Sequence, residues 1–188
     1  LSADDGVKVL ILTGTENCFT AGNDLANYRA LAEADSVAAV SFLRRLHAFP
    51  KPAIAAAEGI AMGLGVSMLL HCDFAYAGLS TRFQLPFTRF ALSPLGATTW
   101  LLPQLAGHKA AAQMLLLGQA FSAGEAREIG LLTDTAPDGR ALEQAFDCAA
   151  RLLAKPGEAV LATKALMREG QAEAVKAALD REEQMLLA

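Results

Sequence analysis

Two short glycine-containing segments carry the clearest chemical potential in this sequence: Cys18–Tyr28 and Glu58–Met68. Each follows an apolar run that predicts a buried strand, and each ends in a tight turn where a helix is predicted to begin. Backbone N–H groups at the start of a helix have no partner within that helix. Two such turns, brought together, would offer two donors to a carbonyl oxygen that becomes negative during a reaction.

Glycines within these turns would let the backbone approach a ligand closely, because they carry no side chain. They are Gly22 in the first segment and Gly63 and Gly65 in the second. The alternative is that both turns merely connect strands to helices. For one turn alone that interpretation is the better one, since short glycine motifs often match by chance. Two such turns in order, each after a predicted buried strand, favour a shared site.

The spacing of apolar residues predicts alternating strands and helices around these turns. Strands are predicted at Val7–Thr13, Ala53–Ala57, Asp73–Ala77, Arg82–Leu85 and Leu131–Thr135. Helices are predicted at Ala30–Phe49, Leu64–Leu70, Thr98–Ala106, Lys109–Leu117, Gly139–Ala154, Gly157–Arg168 and Ala172–Leu187. Ser122 and Glu125 have the spacing of a helix capping box. The alternation predicts an α/β fold with parallel strands and right-handed crossovers, with residues 1–136 as its core and a helical region at 137–188.

Composition narrows the possible partners and ligands. A chain of 188 residues fits one globular domain, and 53% of its residues are hydrophobic. The net charge of −4 argues against a broad basic surface for nucleic acid. Three cysteines without paired spacing predict free thiols rather than disulfides or a metal site. No apolar run reaches membrane-spanning length. These features predict a cytoplasmic protein without a membrane segment, a nucleic-acid partner or a metal.

Five stretches of the sequence carry a family resemblance: Phe19–Leu25, Lys51–Gly59, Gly63–Gly65, His71–Ala77 and Phe83–Gly96. They resemble the crotonase superfamily, also called the enoyl-CoA hydratase/isomerase family. The resemblance is closest to the branch that isomerises 3-enoyl-CoA to 2-enoyl-CoA. That branch favours a Pro-Phe pair, here Pro86 and Phe87, and the Asn-Asp-Leu form of the first loop.

The resemblance implies a crotonase-like spiral of parallel βαβ units with a C-terminal helical tail, assembled as a homotrimer or hexamer. It also implies a coenzyme A thioester as substrate, no separate cofactor, and an enoyl-CoA isomerase-like role in fatty-acid metabolism. Family members have further strands before Val7 and a longer helical tail, so we expect this sequence to lack part of a whole member at both ends.

The resemblance assigns the two oxyanion donors to the backbone N–H groups of Asn23 and Leu64. Their side chains are free to vary, because only the main chain is used. The positions that line the coenzyme A path are Ala21, Gly22, Asp24, Leu25, Gly63 and Gly65.

The residues at the expected proton-transfer positions differ from the family pattern. The two carboxylate positions of the hydratases are occupied here by Ser67 and Phe87, and the single carboxylate position of the isomerases by Leu95. Leucine cannot accept a proton, so the standard isomerase mechanism is not supported. Three hypotheses follow: an isomerase-like enzyme with another base or another coenzyme A ester, a non-catalytic acyl-CoA-binding homologue, and a structural member with a degenerate pocket.

Other polar residues near the two segments have structural interpretations that outweigh catalytic ones. Ser67 and Ser93 would need an activating base. His71 is expected to be a packed or hydrogen-bonded residue, because an isolated histidine is a poor catalytic signal. Asp73 is expected at a strand start with backbone partners. Glu16 and Asp24 are expected to cap a helix or form a turn. Glu58 is expected to have no catalytic role, and His108 to start a surface helix.

Aromatic residues leave two alternatives open. Phe83, Phe87, Phe90 and Trp100 either line an acyl tunnel or pack in the core, since ligand pockets are themselves mostly apolar. The methionines Met62, Met68 and Met114 are expected to fill the core.

Overall fold

The computed structural model describes residues 1–15, 17–22 and 34–186. Within them it has seven strands, β1 to β7, and seven helices, α1 to α7. The strands are β1 Leu10–Thr13, β2 Ala53–Ala57, β3 Ile60–Met62, β4 Phe74–Gly78, β5 Arg82–Gln84, β6 Phe121–Ser122 and β7 Asp134–Ala136. The helices are α1 Ala34–His47, α2 Leu64–His71, α3 Thr98–Leu116, α4 Ala123–Glu128, α5 Ala141–Leu153, α6 Gly157–Glu169 and α7 Ala172–Leu186. This confirms the predicted α/β class.

The main sheet is parallel throughout and has the strand order β1-β2-β4-β7. All five residues of β2 are buried, as expected for a parallel strand covered on both faces. Ile54 and Ala56 pack with Ala141 and Ala145 of α5, whereas Ala55 and Ala57 face the larger core on the other side. The division into residues 1–136 and 137–188 stays a prediction.

A second, three-stranded sheet carries the candidate site. Its order is β3-β5-β6, with β3 and β5 parallel and β5 and β6 antiparallel. The sequence did not predict β3 or β6, which have three and two residues. Strands this short have little periodicity of their own, and pairing with β5 stabilises them. The 3₁₀ helix Phe87–Phe90 was also not predicted.

Most predicted boundaries hold within a few residues, and the exceptions have local causes. The predicted strand Val7–Thr13 is wrong in its first half: β1 begins at Leu10, which pairs with Ala53, the first residue of β2. The last strand lies at Asp134–Ala136 rather than Leu131–Thr135, because it pairs with the C-terminal half of β4.

Helix boundaries also reflect local signals. The predicted break between two helices is confirmed at Gly107, where α3 has φ 75° and ψ 158°. The predicted capping box is confirmed as well. The backbone N–H of Glu125 donates to Ser122 Oγ at 3.2 Å, and the backbone N–H of Ser122 donates to Glu125 Oε2 at 2.7 Å.

Candidate active site

The second glycine turn joins β3 to α2. The backbone N–H of Gly63 donates to the carbonyl of Gln84 at 2.8 Å, which ties the turn to β5. Gly63 has φ 48° and ψ −107°, a backbone conformation that a residue with a side chain rarely adopts. Leu64 is the first residue of α2, so its N–H has no partner within the helix and lies at the positive end of the helix dipole.

The first glycine turn lies directly against the second. The backbone N–H of Met62 donates to the carbonyl of Thr20 at 2.9 Å, so β3 holds the chain just before Gly22. Gly22 has φ 92°. A β-carbon built on it would lie 3.3 Å from the carbonyl oxygen of Met62 and 3.9 Å from the backbone nitrogen of Leu64. The two predicted turns therefore meet.

Between the turns is a cavity of about 200 Å³. The residues predicted for the site that line this cavity are Ala21, Gly22, Gly63, Leu64 and Leu95. Gly65 instead packs inside the protein: a β-carbon on it would lie 2.7 Å from the methyl group of Thr20. Asn23, Asp24 and Leu25 lie outside the described residues, as does Glu16, so the roles assigned to them stay predictions.

Part of the cavity wall is apolar. Leu95 is 2% exposed and Phe87 is 6% exposed, and both line the cavity. A β-carbon built on Gly63 would lie 3.8 Å from two carbons of the Phe87 ring. Among the described residues that line the cavity, none is an aspartate, a glutamate or a histidine. The polar side chains there are those of Gln84 and Arg89.

Ser67 is buried behind the turn and has no access to the cavity. Its Oγ lies 2.9 Å from Thr98 Oγ1, 3.0 Å from the carbonyl oxygen of Leu95 and 3.3 Å from that of Gly63. The Thr98 hydroxyl donates to the same Leu95 carbonyl at 2.7 Å. These contacts give Ser67 a structural role, since they join the start of α2 to the backbone that carries Leu95. Ser93 Oγ is buried and has no hydrogen-bond partner among the described residues, so no base activates it there.

The predicted structural role of His71 is confirmed by its contacts. Its Nε2–H donates to the carbonyl of Gly96 at 2.8 Å, which leaves Nδ1 without a proton in the neutral ring. That Nδ1 lies 3.3 Å from Nδ1 of His47, which accepts a hydrogen bond from Arg168 at 2.9 Å. Burial, together with the neighbouring His47, lowers the pKa of His71 to about 3. Burial, together with Arg168 and Lys164, lowers the pKa of His47 to about 4.

Asp73 has the predicted backbone partner and two ionic partners that the sequence did not reveal. Its Oδ2 accepts from the backbone N–H of Ala53 at 2.8 Å and from Lys164 Nζ at 2.6 Å. Its Oδ1 accepts from Arg168 at 3.0 Å. Lys164 and Arg168 belong to α6, more than 90 positions along the chain. Together with His47 and His71 these three residues form what we call the buried polar cluster.

A larger cavity, about 760 Å³ in volume, lies beside α6 and the buried polar cluster. Asp73, Lys164 and Arg168 line it, but none of the five predicted site residues at the smaller cavity does. These three charged side chains therefore lie at a different cavity from the one between the glycine turns.

The aromatic residues divide between the two alternatives. Phe87 and Phe90 line the smaller cavity, whereas Phe83 is fully buried and stacks on Phe121 with ring centroids 5.5 Å apart. Trp100 is partly exposed and lines none of the cavities described above. Met114 lies in the core, as predicted. Met62 instead lines the smaller cavity.

Glu58 has a structural contact. It accepts from the backbone N–H of Ala141 at 3.0 Å, so it anchors the start of α5.

Two further predictions concern a metal site and a membrane segment. Among residues 1–15, 17–22 and 34–186, no group of three or more His, Cys, Asp or Glu side chains is arranged to hold a metal ion. No helix in the same part of the chain has the length and hydropathy needed to cross a membrane.

Comparisons with known proteins show the family of this chain. The sequence model described as enoyl-CoA hydratase/isomerase matches residues 1–188. 2,3-Dehydroadipyl-CoA hydratase of Escherichia coli (strain K12) is 34% identical over 189 residues, which cover 98% of this chain and 73% of that protein. Enoyl-CoA delta isomerase 2 of Homo sapiens is 29% identical over 184 residues, which cover 94% of this chain and 46% of that protein.

Solved structures of similar fold are also found. Pseudomonas aeruginosa OdaA superposes with a TM-score of 0.93 and 35% identity, covering all of this chain and 78% of that one. A putative enoyl-CoA hydratase/isomerase from Acinetobacter baumannii gives a TM-score of 0.90 and 33% identity, covering 98% of this chain and 78% of that one. The predicted crotonase-like fold is therefore confirmed, and the chain belongs to the crotonase superfamily, the enoyl-CoA hydratase/isomerase family.

Proposed function

We propose that this chain binds an acyl-CoA thioester and stabilises negative charge on the thioester oxygen, as isomerase-like members of the family are expected to do. The observation that carries the proposal is the position of Leu64. Its N–H begins α2 without an intrahelical partner, at a cavity whose other turn, at Gly22, lies beside it. The second donor in this proposal is the backbone N–H of Asn23.

A preorganised donor of this kind stabilises an enolate, because negative charge moves onto the thioester oxygen when the carbon next to the thioester loses a proton. Backbone donors suit the task, since the turn is already fixed by the bond from Gly63 to Gln84 and needs no rearrangement. The apolar walls at Phe87 and Leu95 exclude water and strengthen electrostatic interactions within the cavity.

The second candidate is binding without turnover. Leu95 favours it, because the resemblance assigns the isomerase carboxylate to this position and the leucine there, which lines the cavity, cannot exchange a proton. The two candidates share the thioester-binding step and differ only in the chemistry that follows.

The shared step is tested by calorimetric titration with crotonyl-CoA and with the matching thioether, in which a methylene replaces the carbonyl. Each hydrogen bond to a carbonyl is worth about 0.5–1.5 kcal/mol and the proposal has two donors, so we expect the thioester to bind roughly five- to 150-fold more tightly. Equal affinities would contradict the oxyanion role while leaving coenzyme A binding intact. No binding of either compound would contradict the whole proposal.

A further inference from the structure

The start of α3 has no capping side chain of its own. Ala97 occupies the N-cap position, and its methyl group cannot accept a hydrogen bond from the free N–H groups of the first helical turn. Its φ of 56° and ψ of 21° lie in the left-handed region, which is unfavourable for a residue with a β-carbon. Contacts from elsewhere in the chain must therefore hold this turn in place.

Helix α7 supplies the missing cap. Oε1 of Glu182, 83 positions from Thr99, accepts from the backbone N–H of Thr99 at 2.8 Å and from its hydroxyl at 2.6 Å. Glu182 is 6% exposed, so water competes little for these bonds. Ala97 also belongs to the apolar cluster that contains Val175 and Leu179 of α7. A polar cap and apolar packing from α7 thus fix the start of α3 together.

The start of α3 is joined in turn to the wall of the smaller cavity. Leu95 lines that cavity and precedes the helix by only three positions. The Thr98 hydroxyl donates to the carbonyl of Leu95 at 2.7 Å. The next carbonyl, that of Gly96, accepts from Nε2–H of His71 at 2.8 Å. A shift of the first turn of α3 would therefore move the backbone that carries the Leu95 side chain.

We propose that Glu182 is a positioning residue for acyl-CoA binding: it caps α3 from α7 and so holds Leu95 at the wall of the smaller cavity. Glu182 is not among the described residues that line this cavity, so it acts through α3 rather than by touching the ligand. The inference rests on the proposed thioester-binding function. Since coupling between two sites is reciprocal, a bound ligand should strengthen the cap by the factor that the cap strengthens binding.

Glu183 provides a matched control on the same helix. Its Oε2 accepts from Arg44 of α1 at 2.8 Å, and Arg44 also donates to Asp180 at 2.7 Å. Glu183 therefore joins α7 to α1, whereas Glu182 joins α7 to α3. Glu183→Ala removes a carboxylate from the neighbouring position and leaves the cap of α3 intact.

The first test is calorimetric titration with crotonyl-CoA of the native chain, Glu182→Ala and Glu183→Ala, each checked for folding by circular dichroism. Loss of a cap shifts a helix equilibrium by a factor of about 2 to 30, so we expect Glu182→Ala to raise Kd about three- to tenfold. Glu183→Ala should leave Kd unchanged. Glu182→Gln should bind more tightly than Glu182→Ala, because an amide oxygen also caps a helix.

A second measurement uses the native chain alone. Amide hydrogen exchange of residues 97–102 reports local opening at the start of α3. Saturating crotonyl-CoA should slow this exchange by about the factor that Glu182→Ala raises Kd. Exchange in α5, which packs on the opposite face of the main sheet, should change less. This measurement tests the proposal even if Glu182→Ala does not fold.

Two results would overturn the inference. One is an unchanged Kd in a folded Glu182→Ala protein, or an equal rise of Kd in Glu183→Ala, because the cap would then serve stability alone. The other is unchanged exchange of residues 97–102 when crotonyl-CoA is bound. Both results leave thioester binding by the native chain standing. Failure of the native chain to bind crotonyl-CoA would instead remove the proposed function, and this inference with it.

Discussion

Two regions of this protein differ in the groups that they could offer to a ligand. The buried polar cluster of Asp73, His47, His71, Lys164 and Arg168 holds the kinds of side chain that usually do chemistry. The region around Gly22, Gly63 and Leu64 offers mostly backbone and apolar walls. Yet the polar groups in the first region are largely satisfied by one another, whereas the second presents a helix N–H to a cavity.

The difference shows that titratable residues mark a site only when something holds them next to a ligand. In the polar cluster, burial keeps both histidines neutral, and Asp73 forms ion pairs with Lys164 and Arg168. At the glycine turns, the useful group belongs to the main chain and has no side-chain signature. The predictions below separate stability in one region from ligand binding in the other, from the largest expected effect to the smallest.

Asp73→Ala should have the largest effect on stability. Removing this carboxylate leaves Lys164 and Arg168 as buried cations without their anionic partner, and breaking a buried pair in this way costs about 3–5 kcal/mol. Urea unfolding followed by circular dichroism measures the loss. Crotonyl-CoA affinity of the folded fraction should stay the same. A loss of crotonyl-CoA binding free energy as large as the loss of stability would contradict the claim that the polar cluster serves stability alone.

Gly63→Ala should lower both stability and affinity. Alanine at φ 48° and ψ −107° is strained by about 1–3 kcal/mol, and relief of that strain moves the Leu64 N–H. We expect weaker crotonyl-CoA binding by calorimetry, by up to about tenfold. Gly157→Ala is the matched control, because apart from its chain neighbours and the backbone of its own helix no described atom lies within 4 Å of the β-carbon it would add. Equal effects of the two changes would contradict the role of the turn.

Acidification should destabilise the polar cluster before it affects the glycine turns. The folded pKa of His47, about 4, lies below its ordinary value of 6.5, so the unfolded chain binds the proton more readily. Stability is therefore lost progressively as pH falls from about 6.5 towards 4. Between pH 7 and pH 5 the loss due to His47 is about 1–2 kcal/mol.

His47→Gln removes this titration. Its stability should fall less between pH 7 and pH 5 than that of the native chain, as measured by urea unfolding at both values. Identical pH dependence in the two proteins would show that His47 is not buried neutral in the native state.

Ser67→Ala should have the smallest effect, about 1 kcal/mol of unfolding free energy. The Leu95 carbonyl keeps its bond from Thr98, so no buried acceptor there loses its last donor. Thermal denaturation measures the difference. A loss of crotonyl-CoA binding in a folded Ser67→Ala protein would show that Ser67 does more than join α2 to the backbone at Leu95.

Local signals in the sequence predicted much of the fold. The strand Ala53–Ala57 and the start of α2 at Leu64 were both predicted, because a buried apolar run and a glycine turn are visible within a few residues. The capping box at Ser122 was predicted for the same reason. The short strand β3 was missed, since its pairing partner β5 lies about 20 residues away and three residues show no period.

The candidate site was predictable in a different way. That Gly22, Leu64 and Leu95 share a cavity follows from the family resemblance rather than from spacing, because 73 positions separate the first from the last. The partners of Asp73 on α6 gave no local signal at all. Assembly as a homotrimer or hexamer also comes from the resemblance and stays a prediction.

The central claim is that the thioester-binding turn is intact while position 95 lacks the group that moves a proton. The most direct measurement is conversion of 3-enoyl-CoA to 2-enoyl-CoA by the native chain, by Leu95→Glu and by the uncharged control Leu95→Gln, each checked for folding by circular dichroism. We predict that the native chain and Leu95→Gln are silent and that Leu95→Glu gains activity. Turnover by the native chain would contradict this account, because another residue would then have to act as the base.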